Sequence, residues 1–431
     1  MSTRTRVFIA SLMGSSVEWF DFFLYGSLVP LVFNKLFFPN LDPTVAMLIA
    51  YASFGVPFFF RPLGGILFSH IGDKVGRKKT LIITLSLMGG ATFLMGLLPS
   101  YQTIGIAAPI LLVLLRICQG IALGGEWGGS MLLSVEYATK GKRGLFGSVP
   151  QIGVYLGMLM GTVSLSLLSL LPSAQFIAWG WRIPFLLSMV LVILGLWIRS
   201  GIDETPEFKS AKEEGNLAAF PLGDLLRNHW REVLLAIGAK FIESSPFYVV
   251  AVFSISYATK FLGYTQINVF NAVTMATIVT GLAIPLAGIL SDKIGRMRLY
   301  AVCGLVTMAF AFPYFMLLSS KSLVALYIAT MIGMLTSSPM TAIQGTLYSE
   351  IFDTKIRFTG ISIAQSLGAA ISGGMAPLVA TALLAAYNNS WVPIAIYIVV
   401  MGVISLTSLY FIHKVTTKAR QSKSYFKMDA Q

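Results

Sequence analysis

The chain has 431 residues, of which 56% are hydrophobic and only 11% charged, and its formal net charge is +13. A water-soluble fold carries charge on about a quarter of its residues, so this composition excludes an ordinary soluble globular protein and points to a chain dissolved in lipid. The positive excess needs no nucleic acid to explain it, since membrane topology and anionic lipid call for the same sign of charge.

Apolar runs close to or above the roughly 20 residues that cross about 30 Å of hydrocarbon recur along the whole length. Twelve spans are predicted, over 7–33, 45–70, 80–98, 107–134, 145–171, 179–199, 232–259, 267–290, 299–318, 323–348, 359–386 and 391–412. The first follows Arg4 and Arg6 in the manner of a secretory signal, but it carries Glu18 and Asp21 and lacks a small-residue cleavage site, so it is read as a retained helix. Spans two and three are joined by a basic loop, Gly72-Asp73-Lys74-Val75-Gly76-Arg77-Lys78-Lys79. Span four holds Arg116 and Gln119 and continues into glycine-rich chain around Glu126, after which Glu136 precedes Arg143 by seven positions. Span five carries Gln151, Tyr155 and a stripe of Gly153, Gly157 and Gly161, which predicts tight helix packing. Arg182, beside Trp179 and Trp181 at the start of span six, is read as an anchor to lipid headgroups.

Residues 201–231 are polar, with Pro206 and Pro221 as breakers, and read as a cytoplasmic linker between an N-terminal bundle, 1–200, and a C-terminal bundle, 232–413. Span seven carries Lys240 and Glu243, three apart and so on one helix face, and Tyr248. A second basic loop, Ser291-Asp292-Lys293-Ile294-Gly295-Arg296-Met297-Arg298, follows span eight, and Glu350 precedes Arg357 by seven positions after span ten. Residues 414–431 form a short basic tail. Cys118 and Cys303 both fall inside spans and read as packing residues, while His70, His229 and His413 are scattered, so neither a disulfide nor a metal site is expected.

The two loops share an Asp-Lys-x-Gly-Arg core with Asp73 and Asp292 219 positions apart, and Glu136 and Glu350 are 214 apart. Two offsets that nearly agree indicate a duplicated bundle. The predicted fold is therefore all-α and integral to the membrane, with twelve transmembrane helices in two six-helix bundles related by pseudo-two-fold symmetry. Such parallel repeats place a solute site near the bilayer midplane, between the halves that rock around it. One set of helix ends carries 24 Lys and Arg residues and the opposite set only Lys35, Lys260 and Lys321, which predicts that both termini are cytoplasmic.

Several local runs, in order, resemble the major facilitator superfamily and, within it, the metabolite:proton symporter family of shikimate, α-ketoglutarate, citrate and proline/betaine carriers. They are Glu18-Trp19-Phe20-Asp21-Phe22, Phe60-Arg61-Pro62-Leu63-Gly64-Gly65, the first basic loop, Arg116-Ile117-Cys118-Gln119-Gly120, Gly124-Gly125-Glu126-Trp127-Gly128-Gly129, Trp179-Gly180-Trp181-Arg182-Ile183-Pro184-Phe185 and Glu204-Thr205-Pro206. The superfamily's loop begins with Gly four residues before the Asp; Gly288 fits this in the second copy, whereas Ser69 replaces it in the first. The resemblance implies a gate built on Asp73 and Arg77, echoed by Asp292 and Arg296, with the Glu136, Arg143, Glu350 and Arg357 repeat beside it. It also implies multi-pass residence in a plasma membrane, as in a bacterial inner membrane.

Charges inside spans are costly, about 2.5 to 3.5 kcal/mol each on insertion scales, so they are the natural candidates for mechanism. Asp21 lies on the order of 21 Å from the inner boundary and Arg116 on the order of 14 Å from the outer one, at about 1.5 Å per residue. They are therefore expected to meet. An Asp in helix one facing an Arg in helix four resembles the proton-coupling pair of proton-linked sugar porters, so Asp21, with Arg116 controlling it, is the expected proton carrier; Glu18 is either a second proton site or the partner of another cation. Arg116, Gln119, Gln151, Tyr155, Lys240, Glu243 and Tyr248 are the candidate solute contacts.

The expected activity is proton-coupled import of a small carboxylate or zwitterion by a monomeric carrier without cofactor or metal. A proton-coupled exporter is the alternative within transport, and the absence of a Gly-Pro pair after Gly161 argues against it. A membrane enzyme is disfavoured by the lack of a clustered nucleophile, and a receptor would bind solute without flux.

Overall fold

The computed structural model describes residues 3–75, 77–124, 143–200, 225, 227–352 and 356–428. In hydrocarbon every backbone N–H and C=O must find its partner within the protein, which a helix supplies from its own ladder, and this chain folds as helices. The N-terminal half contains α1 (Thr3–Leu28, prolonged to Leu36), α2 (Pro43–Val75), α3 (Arg77–Leu97), α4 (Ala107–Gly124), α5 (Arg143–Leu168) and α6 (Arg182–Ser200). The C-terminal half contains α7, in pieces from Trp230 to Phe261, α8 (Gln266–Ile294), α9 (Arg296–Ser319), α10 (Leu323–Ile351), α11, in pieces from Arg357 to Ala386, and α12 (Val392–Met428). Ten of these are long and apolar enough to cross a bilayer; a helix pair at α6, bent by 41°, supplies the eleventh, and α3, with its shorter apolar run Ile82–Leu97, completes twelve among the described residues.

The duplication is visible in the packing. In the first half α1 lies against α5, α2 against α4, and α3 against both α4 and α6; in the second α7 lies against α11, α8 against α10, and α9 against both α10 and α12. Adding six to each helix number of the first set gives the second. The seams between halves obey the same rule, since α5 packs on α8 and α2 packs on α11. A further repeat escaped sequence reading: π-helical turns at Val29–Phe33 in α1 and Val249–Phe253 in α7 lie 220 positions apart, close to the 219 of the basic loops.

Burial separates the central helices from the lipid-facing ones. The apolar window of α1 is wholly buried and that of α7 83% buried, against 33% for α9. Leu94 on α3, Trp197 on α6, Leu305 on α9 and Val403 on α12 are among the large apolar side chains that stay exposed, as a lipid-facing belt requires.

Some expectations change. Span four was placed over 107–134, but the described helix ends at Gly124, and residues 125–142 lie outside the described set. Most of the linker, residues 201–224 and 226, also lies outside it. The tail from 414 continues α12 as helix to Met428. Arg182, read as a headgroup anchor, also holds its own half together: its Nη1 donates to Gly96 O at 2.8 Å and Leu98 O at 2.7 Å, placing a cation at the C-terminal end of α3.

Candidate functional site

α1 carries two buried carboxylates, and each meets a different cation. Glu18 pairs with Arg61 of α2, Nη2 to Oε1 at 3.5 Å. The guanidinium of Arg61 sits over Phe58 at 4.8 Å, with the Phe22 and Trp19 rings at 5.5 and 5.7 Å, so aromatic faces supply part of the stabilisation that water would otherwise give. Asp21 lies 4.0 Å from Arg116 of α4, a contact too long for a direct hydrogen bond. Gln119 fills the gap. Its Oε1 accepts from Arg116 Nη1 at 2.8 Å, while its Nε2 donates to Asp21 Oδ2 and to Thr92 Oγ1 of α3, the latter at 3.0 Å. Arg116 is 0% exposed, donates from Nη2 to Phe54 O at 3.1 Å and lies 3.9 Å from the Tyr25 ring centre.

Glycine makes this arrangement possible. A Cβ on Gly120 would lie 2.4 Å from Pro57 O, one on Gly124 1.8 Å from Arg61 O, and one on Gly64 1.9 Å from Ile121 O. α2 and α4 therefore touch backbone to backbone, which brings Arg116 to Phe54 and Arg61 to α1. On α5, a Cβ at Gly157 would lie 2.4 Å from Ser16 O and one at Gly153 2.7 Å from Leu12 O, so the stripe predicted to pack tightly packs on α1.

In α7 the ladder is interrupted at Lys240. The hydroxyl of Ser405, from α12, inserts between Ile242 N–H and Gly238 C=O, accepting from the first at 2.9 Å and donating to the second at 2.7 Å. Tyr300 donates to Ala239 O and Tyr348 to Ala236 O, at 2.8 and 2.7 Å, so the carbonyls around the break are paired. The break sits beside Lys240 and Glu243. Lys240 Nζ reaches Glu243 Oε2 at 2.6 Å and Gln344 Oε1 at 2.6 Å, and Thr341 donates to Glu243 Oε1 at 2.6 Å.

Between the halves lies a small cavity of about 30 Å³. Trp19, Arg61, Gln151 and Tyr155 line it from the first half, and Lys240, Glu243, Tyr248, Thr341, Gln344 and Gln365 are among those lining it from the second. That volume holds about one or two waters and no larger solute, so the halves are drawn together around a collapsed site. Of the predicted solute contacts, Gln151, Tyr155, Lys240, Glu243 and Tyr248 converge here, whereas Arg116 and Gln119 lie behind the wall in the Asp21 network. Arg61, Trp19, Thr341, Gln344 and Gln365 were not singled out from sequence as solute contacts. For Arg61 a signal existed: two carboxylates on α1 need two buried cations, and Arg116 answers only one.

Contacts join the halves toward both ends of the seam. At the end bearing the basic loops, Asp292 accepts from Gly144 N at 2.9 Å and Leu145 N at 3.4 Å, which places its carboxylate on the positive end of α5 from the other half. Arg296 lies 3.4 Å from Asp292 and also pairs with Glu350. The packing is close enough that Gly144 and Gly288 each leave no room for a Cβ. The side chains of Asp73, Arg77, Arg143 and Arg357, together with Glu126 and Glu136, lie outside the described residues. Toward the opposite end, Tyr51 of α2 donates to Ser256 of α7 at 3.1 Å, and Ser166 of α5 donates to Asn271 of α8. Phe22, Phe54 and Phe58 meet Tyr248 of the other half in a cluster of edge-to-face and tilted rings with centres 4.7 to 6.4 Å apart.

Residues 7–220 match the family model described as sugar (and other) transporter, and residues 247–426 match that of the Major Facilitator Superfamily. The shikimate transporter of Escherichia coli K12 is 38% identical, over 94% of this chain and 93% of that protein. The glycine betaine/proline/ectoine/pipecolic acid transporter OusA of Dickeya dadantii is 35% identical, over 96% of this chain and 84% of its own length. Among solved structures, a D-xylose-proton symporter superimposes with a TM-score of 0.74 at 18% identity, covering 95% of this chain and 97% of that one. The xylose transporter XylE of E. coli, in a partially occluded inward-open form, gives 0.74 at 17% identity, covering 96% and 98%.

Proposed function

Because this chain belongs to the major facilitator superfamily of membrane transporters, we propose that it imports a small carboxylate or zwitterionic solute with protons, by alternating access, across a bacterial inner membrane. The observation that supports this reading is the small cavity at the seam, lined by Arg61, Lys240 and Glu243 from the two halves, with contacts between the halves toward both ends. A site buried between two bundles is reached only by parting one end at a time, which is what alternating access requires. The named solutes of the relatives, shikimate, proline and betaine among them, are carboxylates or zwitterions, in keeping with a cavity that offers charges of both signs.

Asp21 is the proposed proton carrier. Its carboxylate is held away from solute, behind the wall, by Arg116, Gln119 and Thr92. Protonation there cancels one side of a buried pair without occupying the solute site. Asp292, Arg296 and Glu350 are the proposed cytoplasmic latch, in line with the charge asymmetry from which both termini are expected on that side. The test is a screen of labelled carboxylates, amino acids and betaines on purified protein, followed by pH-jump uptake of each hit in proteoliposomes. Uphill accumulation driven by inward proton flow is expected; binding with no flux would show a receptor instead.

A further inference from the structure

The cavity wall is unevenly satisfied, and the imbalance has a direction. Among the described residues, five polar atoms of the cavity-lining side chains are buried without a hydrogen-bond partner: the Tyr155 hydroxyl, able to donate or accept, Glu243 Oε2, still ion-paired with Lys240, and the remaining three, Trp19 Nε1, Arg61 Nε and Gln365 Oε1. These last three residues are 9%, 4% and 7% exposed. The first two are donors and lie on α1 and α2; the third is an acceptor and lies on α11. The other charged groups of the wall already serve one another, since Lys240 and Glu243 are paired at 2.6 Å and take up Gln344 and Thr341. Arg61, by contrast, has one long 3.5 Å contact with Glu18 and otherwise faces the Phe58, Phe22 and Trp19 rings.

We infer that this cavity selects solutes that combine a carboxylate with an N–H or O–H donor, Arg61 and Trp19 taking the carboxylate and Gln365 the donor. This rests on the transport reading above and narrows it. Buried polar atoms left unpaired are costly, so a solute that completes them is favoured over one of equal size that does not. A carboxylate brings acceptors to the donor side. A hydroxyl or ammonium proton then meets Gln365 across the cavity. A quaternary ammonium has no such proton, and its methyl groups would leave Gln365 Oε1 unpaired, the kind of mismatch that polar sites reject most strongly. The rocking of the halves must first enlarge the cavity around these atoms. Their identity, and so their preference, is unchanged by that motion.

The test compares parent solutes with derivatives stripped of one function. Binding to the purified full-length protein and uptake into proteoliposomes are measured for L-proline against N,N-dimethylproline, and for shikimate against its tri-O-methyl ether and its methyl ester. At least one parent is expected to bind about tenfold or more tightly than its methylated derivative, and the ester to lose binding to a similar degree, the size of one lost hydrogen bond at a buried site. Gln365→Leu is expected to close the gap between parent and methylated solute, while Gln365→Asn keeps part of it. Equal binding of parent and methylated forms in the wild type overturns the inference and leaves transport standing. The expected order of binding without any uptake keeps the inference and overturns the transport reading. Failure of every carboxylate in the panel to bind overturns both.

Discussion

Gln119 holds the charged centre of the first half together, although it carries no charge. It accepts from Arg116, donates to Asp21 and reaches Thr92, so three helices meet through one amide. Gln119→Leu would leave a buried carboxylate and a guanidinium without their shared partner. We expect a loss of about 1 to 3 kcal/mol of stability, read as a lower melting temperature of the purified protein; an unchanged melting temperature would show that the pair is held by other contacts. Counting residues from the helix ends was enough to bring Asp21 and Arg116 to one depth, because α1 and α4 are regular over that stretch. The same counting left Arg61 without a role, since its partner Glu18 is chosen by the direct contact of α2 with α4 at Gly64, Gly120 and Gly124. Contacts of that kind depend on which helices are neighbours, and a single sequence does not state this.

α2 and α4 form the clearest case of an element defined by its neighbour. Replacing Gly124 with Val would drive side-chain atoms into the Arg61 carbonyl, since even a Cβ would lie 1.8 Å from it. The expected outcome is a sharp fall in folded, detergent-soluble yield, measured by size-exclusion chromatography; Gly90, where a Cβ meets nothing within 4 Å, should tolerate the same change and serves as control. α7 makes a related point. Its hydrophobic run predicted one continuous span, yet the helix is interrupted at Lys240 because Ser405, 163 positions beyond Ile242, enters its ladder. Ser405→Ala removes that insertion. It is expected to cost about 1 to 3 kcal/mol by leaving Ile242 N–H or Gly238 C=O poorly paired, and to weaken solute uptake by shifting Lys240 and Glu243. Uptake and melting temperature both at wild-type values would show that the break is set by α7 alone. No local propensity marks Lys240 as a break, so sequence reading had no access to it.

At the scale of the molecule, the duplication could be read from two short motifs, because each half keeps the same helix order and therefore the same spacing. The contacts between halves were not legible in the same way: Asp292 on α5 and Tyr51 on Ser256 join segments far apart in sequence, and the proposed alternating access requires them to change. Asp292→Asn removes the charge from the helix terminus and weakens the pair with Arg296. It is expected to raise the reactivity of a cysteine placed at Ser148, buried at that end of the seam, toward a membrane-impermeant thiol reagent applied from the cytoplasmic side; unaltered reactivity would place the latch elsewhere. The central claim is that Asp21, behind the cavity wall, couples solute movement to protons. Its most direct test is pH-jump uptake in proteoliposomes by wild type and Asp21→Asn, with solute exchange measured in parallel. The wild type should accumulate solute uphill, while Asp21→Asn should exchange solute yet only equilibrate it. Full pH-driven accumulation by Asp21→Asn would contradict the claim.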